Sequence, residues 1–268
     1  MRWWNNELVC HYTSRNIALE HILPSATIRL NSIAKTNDPR ETSPWMFTTG
    51  GVRELTPREF FERHDLFAKT LHSYSFILST SMDRKKSSYD DIGLPEKDFL
   101  HKGFGRPYMW AHYGQSHEGV CLAFDRQRLE CSIKQIMSPN GILLSDEVIY
   151  DDRPLVILDA TDFDSDSMSE NASGDILSHI LKYQKILFFT KTTDWEAESE
   201  WRWIYIGQDE HPIYASINSC LRAIIVGSYF PDVYKPILRE FARKFDTNVA
   251  KIRWEFGLPY LDNNWIYR

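Results

Sequence analysis

With 268 residues, 43% of them apolar and 14% aromatic, the chain supplies a sizeable core, enough for one large domain or two small ones. Its 37 acidic against 31 basic side chains leave a net charge of -6, which excludes a global electrostatic footprint for nucleic acid or an anionic membrane. Cys10, Cys121, Cys131 and Cys220 are scattered without C-x-x-C or metal-ligand spacing, and the N-terminus lacks the apolar run of a secretory signal. The expectation is a cytoplasmic protein with reduced thiols and no membrane partner.

Leu8 to Tyr12 reads as a short strand, with Thr13 or Ser14 as N-cap of a helix ending near Pro24. Ala26 to Asn31 alternates as a second strand, Ile28 and Leu30 on one face and Arg29 on the other, and runs into the polar turn Thr36-Asn37-Asp38-Pro39-Arg40-Glu41. Thr56-Pro57-Arg58-Glu59 is a capping box with proline at the first helical position, which predicts a helix to about Leu71. Phe76 to Ser81 is a strand leading into the polar stretch Asp83 to Lys97. Tyr108 to Tyr113 suggests a helical turn, and Gly119 to Phe124 is an apolar run of the kind buried on both faces of a sheet.

Short strands are predicted at Ile142 to Leu144, Val148 to Tyr150 and Leu155 to Leu158, after a turn at Ser138-Pro139-Asn140-Gly141. Thr161 to Ser173 reads as an acidic loop, and Asp175 to Leu187 carries apolar residues at helical spacing. Leu221 to Val226 is a buried strand, Asp232 to Phe245 a helix and Asn248 to Trp254 a last strand. Without repeats or a linker, residues 1–268 read as a single α+β domain.

Between these elements lies Trp195 to Tyr205, W-E-A-E-S-E-W-R-W-I-Y. Read as one extended strand, it puts Glu196, Glu198, Glu200 and Arg202 on one face and Trp201, Trp203 and Tyr205 on the other. The charged face is either a solvated side of a half-buried strand or the acidic wall of a site.

Familiar chemistries are mostly excluded. Asp162-x-Asp164-x-Asp166 begins like a calcium loop but has Ser167 where glycine is needed and Ser173 where a bidentate glutamate is needed. His112, His117 and Glu118 lack H-E-x-x-H spacing, and Gly103-x-Gly105 lacks the third glycine of a dinucleotide fingerprint. No G-x-S-x-G elbow is present. What remains is His11-Tyr12-Thr13 and Ser79-Thr80-Ser81 at strand ends, together with the glutamates. Their alternative roles are structural: a core histidine, a helix cap and a turn.

The ordered motifs H-Y-T-S, N-D-P-R-E, F-I-L-S-T-S, M-W-A-H-Y-G-Q-S-H-E-G-V-C-L-A-F-D and K-T-T-D-W-E-A-E-S-E-W-R-W resemble a bacterial family catalogued as domain of unknown function 2971, over roughly residues 8 to 230. That family name carries no chemistry. The layout is also similar to that of ADP-ribosyltransferases: a first strand ending in histidine, a middle strand ending in hydroxyls and a late strand with a glutamate. That resemblance implies a split, mostly antiparallel sheet flanked by helices, with NAD as substrate. By the same resemblance His11 contacts the ribose, Thr13 the nicotinamide side, Ser79 and Ser81 brace the middle strand, and Glu200 is catalytic with Glu198 as second choice. Tyr12, His112 and Tyr113 join the NAD-binding set, Arg202 and Arg40 are candidates for contacts to phosphate, and Asn37 and Asp38 are second-site candidates whose alternative role is a structural turn.

The function these features imply is transfer of ADP-ribose from NAD to a protein or nucleic-acid acceptor by a toxin or defence effector. The rivals are a non-enzymatic nucleotide- or protein-binding module and a metal-dependent nucleotide hydrolase at His112, His117 and Glu118.

Overall fold

Runs rich in β-branched and aromatic residues alternate through the chain with short polar turns, and most of them become strands. A computed structural model describes residues 7–42, 48–51, 54–84, 99–153, 162–167, 169–208 and 210–267. In chain order the strands are β1 Leu8–Thr13, β2 Thr27–Ser32, β3 Thr48–Gly50, β4 Ser75–Met82, β5 Val120–Asp125, β6 Ile142–Glu147 and β7 Ile149–Tyr150. They continue as β8 Asp162–Asp164, β9 Thr190–Lys191, β10 Glu200–Ile206, β11 Ile213–Ser216, β12 Leu221–Val226, β13 Asn248–Glu255 and β14 Leu258–Asp262.

Ten of these strands form one sheet in the order β11-β2-β4-β1-β5-β12-β13-β14, with β10 added on β4 and β6 on β10. Within it the β12–β13 pair is parallel and the other pairs are antiparallel. The mixed α and β content and the large, mostly antiparallel sheet flanked by helices match the class read from the sequence.

Both faces of the central strands are covered. On one face Val9, Leu122, Ile224 and Trp203 pack with Leu129 and Ile133 of the helix Arg126–Lys134 and with Leu238 and Phe241 of the helix Lys235–Lys244. On the other, Ile77, Ile204 and Ile206 meet Phe67 and Leu71 of the helix Pro57–His72 and Ile176 and Ile180 of the helix Ala172–Lys182. Fully burying one such side chain contributes roughly 1.5–3 kcal/mol, so β10 is held from both sides.

Local signals hold where they are self-contained. The Thr56 hydroxyl accepts from the Glu59 amide at 3.3 Å, and the Glu59 carboxylate accepts from the Thr56 amide at 2.9 Å, closing the expected capping box. Longer spans are cut. The helix expected over 175–187 is two helices, Ala172–Lys182 and Gln184–Phe188, interrupted at Tyr183. The helix expected before Pro24 is a π-helical turn Ile17–Ile22 followed by Leu23–Ser25.

The helix Arg126–Lys134 and strands β11 and β14 were not legible as elements. The expected strand at Leu155 to Leu158 and most of Asp83 to Lys97 lie outside the described residues. Among the described residues no helix is long and apolar enough to cross a membrane.

Candidate functional site

The site begins with a branch in the sheet. One edge of β4 pairs with β10 from Ser81↔Glu200 to Ser75↔Ile206. Its other edge is shared: β1 pairs at Val9↔Met82 and Cys10↔Ser81, whereas β2 pairs at Asn31↔Ile77 and Ser32↔Phe76. Past Cys10, β1 leaves β4 and follows β5 to Thr13↔Val120. The two strands therefore fork at Leu78–Thr80, where the edge of β4 has no strand partner among the described residues. His11 partly fills the gap, its Nδ1 lying 3.2 Å from the Ser79 carbonyl oxygen. Burial lowers the His11 pKa, and the Ser79 carbonyl opposes that shift.

A cavity of about 470 Å³ occupies the fork, within the size range of small-molecule sites. Its walls include His11, Tyr12, Asn37, Ser79, Ser81, Tyr113, Glu198, Glu200 and Arg202. Residues expected from separated motifs are thus brought together around one space. Three are not part of its wall. Thr13 is buried on β1 beyond the fork. Arg40 turns its Nη1 to the Asp151 carbonyl at 3.1 Å, and His112 stands exposed at a helix end beside the Tyr108 ring.

The face expected on Trp195 to Tyr205 needs correction. Thr193–Glu198 is a 3-10 helix, Ser199 adopts the left-handed conformation at φ 44°, and the strand begins only at Glu200. Glu196 is exposed, whereas Glu198, Glu200 and Arg202 are 4%, 3% and 0% accessible. The turn is held from a distance: the Ser81 hydroxyl donates to the Glu198 carbonyl at 2.6 Å, and Arg106 Nη1 donates to the same carbonyl at 2.7 Å. Arg106 Nη1 also donates to the Ser81 hydroxyl at 3.0 Å, joining the end of β4 to the turn.

The floor of the cavity is a network of buried charges. Arg202 Nε donates to Glu200 Oε1 at 2.7 Å, Nη2 donates to Oε2 at 3.1 Å, and Nη1 donates to the Phe188 carbonyl at 2.6 Å. Arg202 also forms an ion pair with Glu41. Lys191 Nζ bridges the two neighbouring glutamates, 2.7 Å from Glu198 Oε2 and 2.9 Å from Glu200 Oε2. Tyr113 donates its hydroxyl proton to Glu198 Oε1.

These two carboxylates are pushed in opposite directions. Burial opposes the Glu200 charge, but Arg202 and then Lys191 outweigh it and hold the carboxyl down at about 2. For Glu198 burial dominates; Lys191 opposes it, the nearby Glu200 charge adds to it, and the pKa ends above the ordinary carboxylate value. Two carboxyl groups with diverging environments are the arrangement that separates a permanent anion from a proton-transfer group.

Sequence reasoning gave no role to Lys191, Glu41 or Arg106. Lys191 opens the K-T-T-D-W motif and Glu41 closes N-D-P-R-E, so both stood inside quoted motifs, but only the fold shows that they meet at Arg202 and Glu200. Arg106 gave no signal, because its partners lie at residues 81, 82, 197 and 198.

The arrangement suggested for a metal does not form. His117 packs its ring against Tyr229 and Trp254, and Glu118 pairs with Arg15 at 3.5 Å. Among the described residues no three His, Cys, Asp or Glu side chains form a group that could hold a metal ion.

The fork, its cavity and the charged floor belong to an α+β protein with a large, mostly antiparallel sheet flanked by helices. Residues 109–203 match the family model described as Protein of unknown function (DUF2971), so the family resemblance read from the motifs holds over that segment. The segment contains Tyr113, Lys191, Glu198, Glu200 and Arg202, whereas the first three motifs precede it. No curated protein and no solved structure matches the chain.

Proposed function

We propose that the cavity binds NAD and that the protein transfers its ADP-ribose to an acceptor. The observation that carries this reading is the convergence of His11, Ser79, Glu198 and Glu200 on the one cavity in the sheet fork. The charge pattern adds support. The floor sets the carboxylates of Glu41, Glu198 and Glu200 against two cations, Lys191 and Arg202, a surplus of one negative charge that suits a pyridinium and the developing charge on its ribose.

In the proposed reaction the bond from ribose C1′ to the nicotinamide nitrogen breaks, and its electron pair leaves with nicotinamide. An acceptor nucleophile bonds to C1′ and loses its proton. The transition state resembles an oxocarbenium ion, which a preorganised carboxylate stabilises. Glu200, ionised throughout the working pH range, supplies the permanent negative charge. Glu198, with its raised pKa and its place beside Tyr113, takes the proton. In this reading His11 and Ser79, which line the same cavity and lie beside each other at the fork, contact the ribose and nicotinamide.

The second reading, a binding module without turnover, is favoured by the pairing already present on the floor: Lys191 holds both glutamates and Arg202 holds Glu200 and Glu41. Incubating the purified protein with NAD and candidate protein or nucleic-acid acceptors, and following nicotinamide release, separates the two. Release that requires Glu198 supports transfer. A ligand-dependent rise in melting temperature without release favours the binding module and defeats the enzyme.

A further inference from the structure

We infer that the mouth of the cavity is a diphosphate subsite built by Arg29 and Lys35. The inference rests on the nucleotide reading of the cavity for the identity of the ligand, but its starting point is a separate feature, the contrast in charge between floor and mouth. Both side chains belong to the cavity wall, and both are exposed. Neither makes an ion pair or a side-chain hydrogen bond with any described residue. They differ in this from Lys191 and Arg202 on the floor, which are fully engaged.

The placement follows from strand geometry. In β2 the core residues Ile28 and Leu30 alternate with Thr27, Arg29 and Asn31, which turn to the cavity. Arg29 stands directly opposite Tyr214 of β11, whose half-exposed side chain also lines the cavity. Lys35 closes the 3-10 turn Ile33–Lys35 that immediately follows β2. One backbone segment therefore presents two cations to the same opening.

An arginine fork and a flexible ammonium suit adjacent phosphate groups, with Arg in bidentate contact and Lys as a mobile point charge. With a surplus of carboxylate inside and, outside, two cations that no described residue pairs, the cavity favours a ligand that is cationic or neutral at its inner end and polyanionic at its outer end. A dinucleotide entering with its pyridinium first has that polarity.

The test is calorimetric titration of the whole chain with ADP, with adenosine and with inorganic pyrophosphate, on wild type, Arg29→Gln, Lys35→Gln and the double variant. Each lost charge-assisted contact corresponds to about a tenfold change in affinity. ADP is expected to bind at least tenfold more tightly than adenosine, to weaken about tenfold in each single variant, and to lose affinity with added salt. Adenosine is expected to bind the variants and wild type alike. Equal affinity for ADP and adenosine, or ADP binding unaffected in the double variant, overturns the subsite.

Nicotinamide release, measured in parallel, keeps the two proposals apart. ADP binding through Arg29 and Lys35 without NAD turnover upholds the subsite and removes the transferase. NAD turnover with an unchanged KM in the double variant does the reverse.

Discussion

The floor and the mouth of the cavity hold charge in different ways. On the floor, Glu198, Glu200, Lys191, Arg202 and Glu41 are buried, and each has an oppositely charged partner. At the mouth, Arg29 and Lys35 are exposed and unpaired among the described residues. Buried charges must be compensated within the protein, because an unpartnered one costs several kcal/mol, whereas an exposed cation keeps water as its partner until a ligand replaces it. The floor should therefore govern stability and chemistry together, and the mouth should govern ligand affinity alone.

The sharpest way to break that division is Arg202→Met. It strips the guanidinium from Glu200 and Glu41, and unfolding in denaturant should show a loss of about 3–5 kcal/mol. A loss below about 1 kcal/mol would mean that the network is not a structural clamp. Glu200→Gln leaves part of the Arg202 hydrogen bonding unmet and should cost roughly 2–3 kcal/mol at neutral pH.

The same glutamate sets an acid limit. Its folded-state carboxyl is held at about 2, below the roughly 4.3 of an unfolded chain, so its contribution is present in full above the unfolded value. That contribution is lost as pH falls from about 4.3 toward 2. Stability measured across that window should decline in wild type and lose much of its slope in Glu200→Gln. Parallel curves would contradict the assignment. At the small end, Arg29→Gln and Lys35→Gln should lie within about 0.5 kcal/mol of wild type in the absence of ligand. A larger loss would place these cations in the folded framework and not at an exposed mouth.

Much of the sheet was readable because its signals are local. The apolar run Gly119 to Phe124 and the capping box at Thr56 depend on residues a few positions apart, and both appear near their expected places. The stretch from Trp195 failed for the converse reason. Its alternation is real from Glu200 onward, where Trp203 and Tyr205 enter one core and Ile204 and Ile206 the other. Before Glu200 the chain is bent into a 3-10 turn by Ser81 and Arg106, residues more than ninety positions upstream of the carbonyl they bind. No local pattern reports such contacts.

The cavity divides in the same way. Strand-end polar residues pointed to His11, Ser79 and Glu200, and the shared strand face of Glu200 and Arg202 made their pairing legible, but the bridge from Lys191 to both glutamates is visible only in three dimensions. Glu200 emerges as the more firmly fixed of the two. Glu198 is the one whose protonation burial leaves adjustable.

Glu198→Gln therefore tests the central claim most directly. The substitution preserves size and an oxygen acceptor for Tyr113, and Lys191 keeps its contact with Glu200, so stability should change by no more than about 1.5 kcal/mol. Nicotinamide release from NAD, measured on wild type and this variant at matched folded fraction, should fall roughly 10²- to 10³-fold. Equal rates in the two proteins, or no release by either with any acceptor tried, would contradict the account.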